Sequence, residues 1–258
     1  MSDVDDLIGE WTLRTDGDIV RGPHSVVLPV RTSDGVAAVL KLGQSPHEHL
    51  VLRRWNGAGS VRLLRADPHR RALLLERLRS SSLVDLFDVD ACEAVAAVYR
   101  RLHVPAMPQL PSLPALLEQW ADEFTALPRS AAIPHRLVEQ AAALCRDHAA
   151  SRADRVLHGN LHYGNVLGAE REPWLAISPN PLNGDPHYEI APMLWHRWDE
   201  IIDDVRFGVQ RRFYSLVDAA GFDEDIARAY VVIRVVRAAI ADPDRLTTYV
   251  ALAKAVQD

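Results

Sequence analysis

The chain has 258 residues, a formal net charge of −6 at pH 7, and 48% hydrophobic against 25% charged residues. That leaves room for one large or two modest domains with a real core, and the acidic balance excludes non-specific nucleic-acid binding, which needs clustered Lys and Arg. MSDVDDLIGEW lacks the basic-then-apolar layout of a signal peptide, no apolar run approaches a membrane span, and two isolated cysteines, Cys92 and Cys145, make no disulfide framework, so a cytoplasmic protein is expected.

The first third reads as short β segments, EWTLRT, SVVLPVRT, VAAVLKL, VRLLRAD and RALLLERL, separated by turn signals such as Asp16-Gly17 and Ser33-Asp34-Gly35. One helical stretch, PHEHLVLRRWNG, follows the third segment and closes on Gly57 as its expected C-cap. From about residue 80 the apolar period becomes helical, through VDACEAVAAVYRRLH, LPALLEQWADEF and PHRLVEQAAALCRDHAA. The loop VLHGNLHYGNVL, residues 156–167, then intrudes with a short β segment on each side. Helices return through APMLWHRW, QRRFYSLVDAA, DIARAYVVIRVVRAAI and the tail. The apolar helix near 227–241 is broken by Arg228, Arg234 and Arg237. The pattern predicts an α+β chain with a small β-rich lobe, residues 1–78, and a larger, mainly helical lobe, residues 79–258. A connector near Glu76–Ser82 joins them, and the cleft between them is the natural site for a small-molecule ligand.

Of the 29 Lys and Arg residues only Lys41 and Lys254 are lysines, which leaves 27 arginines. Lys254 lies in the tail, where either cation would serve. Lys41 sits inside the apolar run AAVLKLG, where a solvated cation is least expected. Two readings stay open: an edge lysine snorkelling to water, or a compact ammonium placed for a task that a planar guanidinium does not perform.

In order and spacing, PVRTSDGVAAVLKLG, HEHLVLRRWNGAGSVRLL, ALLLERL, VLHGNLHYGNVL, the run from REPWLAISPNP to PHYEIAPMLWHRW, and AYVVIRVVRAAI resemble the aminoglycoside phosphotransferases on the protein-kinase-like fold. The branch they resemble is that of streptomycin 6-kinases and hydroxyurea phosphotransferases. The resemblance implies a bilobal fold with ATP or another nucleotide in the smaller lobe. It places the phosphate-contacting lysine at Lys41, its orienting glutamate at Glu48, and the hinge against adenine at the backbone of Glu76–Leu78. It implies a magnesium-binding amide at Asn165 and makes His158, Asp185 and Glu189 structural. An acceptor pocket is expected near Trp120, Glu123, Trp195, Trp198 and Asp199, although burial tendency favours core roles for the tryptophans. His158 and His162 have the spacing of a zinc half-site that nothing completes.

Three departures set this chain apart from the pattern. The general-base position is Asn160, the metal-binding Asp position is Ser178, and the Gly-rich loop offers only Gly22 followed by Pro23, which has no N–H to give a phosphate. An amide orients a hydroxyl but takes no proton, and a hydroxyl is a poor magnesium ligand. The resulting expectation is a phosphotransferase by descent, impaired or inactive in the manner of a pseudokinase, with weak or absent magnesium binding and a protein partner if the role is regulatory. The alternatives are an active phosphotransferase acting on a hydroxylated cationic small molecule, or altered chemistry in the same cleft.

Overall fold

The computed structural model describes residues 3–22, 25–43 and 45–258. Six strands form an antiparallel sheet: β1 (Arg14–Thr15), β2 (Val20–Arg21), β3 (Ser25–Arg31), β4 (Ala37–Gly43), β5 (Leu63–Asp67) and β6 (Ala72–Glu76). They lie in the order β1-β3-β4-β6-β5, with β2 also on β3. Strand alternation decides what each face does. Leu28 and Val30 of β3, Ala38 and Leu40 of β4, and Ala72 and Leu74 of β6 pack on one face as a buried cluster with Leu7, Trp11 and Leu13. Leu73 and Leu75 of β6 belong instead to the main core. Lys41 pairs with Leu73 across the β4–β6 ladder, so it shares the face turned toward the larger lobe.

The first cluster has a cover that the sequence reading did not anticipate. Residues Asp3–Glu10 form α1, which buries Leu7 completely. The predicted strand EWTLRT shrinks accordingly to β1 at its end. After β4 comes α2 (Glu48–Trp55), whose left-handed cap is Asn56 at φ 48°, with Gly57 next at φ 84°. The turn out of the helix therefore begins one residue before the expected C-cap, because an asparagine tolerates the left-handed region that this exit requires.

The helical part contains α3 (Asp88–Leu102), α4 (Leu113–Thr125), α5 (His135–His148), α6 (Ala191–Trp195), α7 (Val205–Ala220), α8 (Glu224–Ala241) and α9 (Leu246–Gln257). The segment APMLWHRW is helical only as far as Trp195; Arg197 then turns left-handed at φ 54°. Four short strands carry the loop region: β7 (Arg155–Leu157), β8 (Val166–Gly168), β9 (Trp174–Ala176) and β10 (Leu182–Gly184), pairing as β7–β10 and β8–β9. Cys92 and Cys145 are free and buried, and burial pushes both thiols up to about 12. Among the described residues, no helix is long and apolar enough to cross a membrane.

Backbone bonds stitch the sheet region to the loop region. Val61 N–H donates to Ala176 O and Ala176 N–H to Gly59 O, both at 2.9 Å, while Arg79 N–H reaches Gly168 O at 2.9 Å. Arg171, in the β8–β9 turn, adds a strap: its guanidinium contacts Glu76, the Gly57 carbonyl and the Ser60 carbonyl at 2.5–3.2 Å. A deeper anchor joins α3, α7 and the loop. Arg212, fully buried, donates to Asp88 at 2.9 Å and to the His196 carbonyl at 2.7 Å. Arg211 and Tyr163 complete the shell of Asp88 at 2.6 and 2.9 Å. Burial pushes the Asp88 carboxyl up, but these donors and the neighbouring positive charge together hold it below the usual range.

Candidate functional site

A cavity of about 500 Å³ opens between the sheet and the loop region, lined on the sheet side by Ser25, Lys41, Gly43, Ser45 and Glu48, and on the other by Asn160, Ser178, Asn180 and Arg234. The lysine is buried, at 6% exposure, and its Nζ donates to Glu48 Oε1 at 2.7 Å. Snorkelling to water is thereby ruled out. The register that turns Lys41 inward and the helix that starts at Glu48 build this pair together. Burial pushes the Glu48 carboxyl up, against the pull of the lysine. The ammonium also donates to Ser178 Oγ at 3.0 Å, which links two residues 137 positions apart.

The opposite wall is a tightly prescribed loop. Gly159 holds φ at +75°, and a Cβ there would stand 2.2 Å from the Asn180 carbonyl, so only glycine fits. Glu189, fully buried, accepts the backbone N–H of His158 at 2.5 Å and that of Gly159 at 3.0 Å. Burial pushes that carboxyl up, but the contact with His103 and the charge of Arg234 help keep it below its ordinary value. His158 uses both ring nitrogens, accepting Asn160 N–H at Nδ1 and pairing Nε2 with the Ile177 carbonyl at 3.0 Å. His162 accepts Gly164 N–H and stacks on His196, with ring centroids 4.0 Å apart. Burial depresses His158 to about 4 and His162 to about 3, and both rings spend their Nδ1 atoms on backbone N–H groups of the loop.

Asn160 lines the cavity, and its carbonyl accepts Nδ2 of Asn165 at 2.8 Å. That bond leaves Asn165 its Oδ1 as the oxygen it can offer a cation. Ser178 adopts φ 56°, a conformation in which Asp and Asn are enriched and Ser is not. The backbone thus keeps a shape suited to a carboxylate or amide side chain while carrying a hydroxyl. Magnesium is a hard cation that prefers carboxylate and phosphate oxygens. Around this cavity the neutral side-chain oxygens are those of Ser25, Ser45, Asn160, Ser178 and Asn180, and the one lining carboxylate, Glu48, is paired with Lys41. Among the described residues, no group of three or more His, Cys, Asp or Glu is placed to hold a metal ion. The donor set does not fit a tightly held divalent cation.

Glu76 and Leu78 lie apart from Lys41. With Ala37, Arg77 and Arg79 they line a second cavity of about 410 Å³ at the connector. The Glu76 N–H is taken by the Arg62 carbonyl at 3.0 Å, and its carboxylate by Arg171 and the Arg62 N–H. Pro23 of the weak glycine loop lies outside the described residues; Gly22 N–H bonds the Ser25 carbonyl at 2.8 Å. The five expected acceptor residues split in two. Trp120 is buried and Glu123 pairs with Arg237 at 2.9 Å, whereas Trp195, Trp198 and Asp199 line a separate cavity of about 360 Å³. Neither set lines the Lys41 cavity.

Arg234 was missed as a site residue. It projects from α8 and donates to the carbonyls of Tyr188 and Gly159 at 3.0 and 2.9 Å, with the Tyr188 ring 4.2 Å below its guanidinium. The available signal was its place in an otherwise apolar helix.

Residues 10–245 match the family described as aminoglycoside/hydroxyurea antibiotic resistance kinase. Streptomycin 6-kinase of Streptomyces glaucescens is 41% identical over 251 residues, covering 93% of this chain and 81% of the relative. Hydroxyurea phosphotransferase of Kitasatospora aureofaciens is 39% identical over 248 residues, covering 91% and 70%. Among solved structures, an amicoumacin kinase in complex with AMP-PNP, Ca²⁺ and Ami superimposes with TM-score 0.64 at 12% identity, covering 100% of this chain and 94% of that one. A choline kinase from Streptococcus pneumoniae gives TM-score 0.61 at 12% identity, with 99% of each chain covered. At such identities these two structures bear on the fold alone, and they agree with the observed kinase-like α+β arrangement. The chain belongs to the aminoglycoside/hydroxyurea antibiotic resistance kinase family.

Proposed function

We propose that this chain is a phosphotransferase of that family by descent whose cleft binds a nucleotide and a small hydroxylated ligand but transfers phosphate poorly or not at all. Residues 1–78 form the nucleotide lobe, with Lys41, oriented by Glu48, as the phosphate contact and the backbone of Glu76–Leu78 as the hinge. Residues 79–258 supply the acceptor side.

One observation carries the reading. The two cavity positions where the resemblance implies carboxylates are Asn160 and Ser178, and the Ser178 hydroxyl accepts a bond from Lys41. An amide at the base position forgoes general-base assistance worth roughly 10²–10⁴-fold. Phosphoryl transfer relies still more on metal ions that neutralise charge between the phosphates, and here Asn165 alone remains of the implied ligands, with no formal charge.

The test is turnover of ATP with streptomycin and with hydroxyurea, comparing the parent with Asn160→Asp/Ser178→Asp. The parent is expected to show no appreciable transfer and the double variant a measurable rate. Parent turnover in the ordinary kinase range of roughly 1–100 per second would overturn the proposal.

A further inference from the structure

The cavity has an unusual charge balance. Its single carboxylate, Glu48, is matched by Lys41. Arg234 has no carboxylate within ion-pair distance among the described residues; its bonds go to two neutral carbonyls and its face lies over Tyr188 and Trp195. Glu189, a carboxylate that feels its charge, is already met by two backbone N–H groups. A guanidinium pinned in this way is a fixed cation at the cavity wall, since both of its anchors are rigid backbone. Beside it the lining consists of Asn160, Asn180, Ser178 and Ser25, all able to donate a hydrogen bond. Ser45 also lines the cavity, and its hydroxyl has no hydrogen-bond partner among the described residues.

We propose that this cleft takes a phosphate-bearing anion without a divalent metal, with Arg234 supplying across from Lys41 the positive charge that a metal ion would otherwise bring. The proposal rests on the reading that the carboxylate-poor cavity holds no productive metal, and it assigns the ligand class: a bare polyphosphate group rather than a magnesium chelate. It also disfavours a polycation at this end of the cleft, because an unpaired guanidinium repels one and no free carboxylate attracts it.

Inorganic tripolyphosphate is the probe, titrated calorimetrically in chelator and again with excess magnesium. The parent is expected to bind it saturably in chelator, and magnesium to weaken binding by sequestering the anion. Arg234→Gln keeps much of the packing on Tyr188 and is expected to weaken binding about tenfold or more, the usual scale for a charge-assisted contact, while Arg234→Lys retains most of it. Should Arg234→Gln fail to fold, Ser178→Asp leaves Arg234 untouched. It is expected to weaken chelator-phase binding and to make magnesium favourable. Three results would each overturn the proposal: no saturable binding by the parent, binding that requires magnesium, or a folded Arg234→Gln that binds like the parent. Phosphoryl transfer is scored separately, because tripolyphosphate binding is read without an acceptor. Turnover by the parent would therefore strike the reading of impaired catalysis without deciding this one.

Discussion

The two walls of the cleft differ in what a substitution costs the fold. On the sheet wall, Lys41 and Glu48 are 6% and 2% exposed and bonded to one another at 2.7 Å, so neither can change without leaving the other buried and uncompensated. On the loop wall, Asn160 and Ser178 are partly exposed and line open space. Their neighbours hold the loop in shape through Gly159, Glu189 and His158, whatever the side chains at 160 and 178 are. The difference teaches that charged groups paired inside the core are protected by stability, whereas side chains facing the cavity can be exchanged with little structural consequence.

The strongest way to break this contrast is to cut the buried pair. Glu48→Ala should cost about 3–5 kcal/mol in denaturant unfolding, the range for stranding one member of a buried ion pair. Asn160→Ala should stay below about 1 kcal/mol, as substitutions away from such features do. Equal costs would show that the loop wall is as constrained as the sheet wall.

Next in size is Gly159→Ala, which tests whether backbone and not side chain fixes the loop. A left-handed alanine carries strain of roughly 1–3 kcal/mol before its clash with the Asn180 carbonyl is counted. Loss of at least about 2 kcal/mol is expected by thermal or urea unfolding. A neutral result would mean that the loop relaxes easily, and then positions 160 and 178 would not be held in a fixed frame.

Acid sharpens the same point. His158 is depressed to about 4 and His162 to about 3, both by burial, so the unfolded chain binds their protons more readily than the folded one. Their contribution is complete above the ordinary histidine value of about 6.5 and is lost as pH falls toward 4. Each ring should cost on the order of 2–3 kcal/mol between pH 7 and pH 4.5, about 5 kcal/mol for the two together, with Glu48, raised by burial, working in the opposite sense at the acid end. His162→Asn, which can still accept the Gly164 N–H, should flatten that slope. An unchanged slope would move the acid sensitivity elsewhere.

How much of this was legible in the sequence follows from the range of each interaction. The β4 strand and the helix after it were readable as local patterns, whereas the residues alone left Lys41 open to snorkelling, and its pairing with Glu48 was implied only by the family resemblance. The loop's β-flanked outline was readable as a local pattern too. The α1 cover was not: eight residues with a single fully buried side chain, Leu7, give too few turns to announce a period. The Arg171–Glu76 strap and the Arg234 anchors join residues 95 and 75 positions apart, through loop carbonyls and carboxylates that no spacing rule reaches. A cation inside the apolar α8 run did signal a need for a partner; only the fold could say that the partners are Gly159 and Tyr188.

The smallest expected effect is the most informative about chemistry. Ser178→Asp should change stability by less than about 1 kcal/mol, since the φ of 56° at that position suits aspartate at least as well as serine. Its consequence should appear in ligand response. Stabilisation by a nucleotide follows RT ln(1 + [L]/Kd), about 1.4 kcal/mol at ten times Kd, which moves the melting temperature by a few degrees in a chain of this size. For the parent, the shift with ATP should be nearly the same in magnesium and in chelator, because a neutral amide and a lysine-bonded hydroxyl give the ion little to hold. In Ser178→Asp, magnesium should enlarge the shift, since Asn165 and the new carboxylate then offer two oxygens, one of them charged. If instead the parent were already stabilised by ATP only when magnesium is present, some other oxygen, Asn180 foremost, would be acting as a metal ligand. The loop wall would then be a rebuilt catalytic wall rather than one stripped of its chemistry.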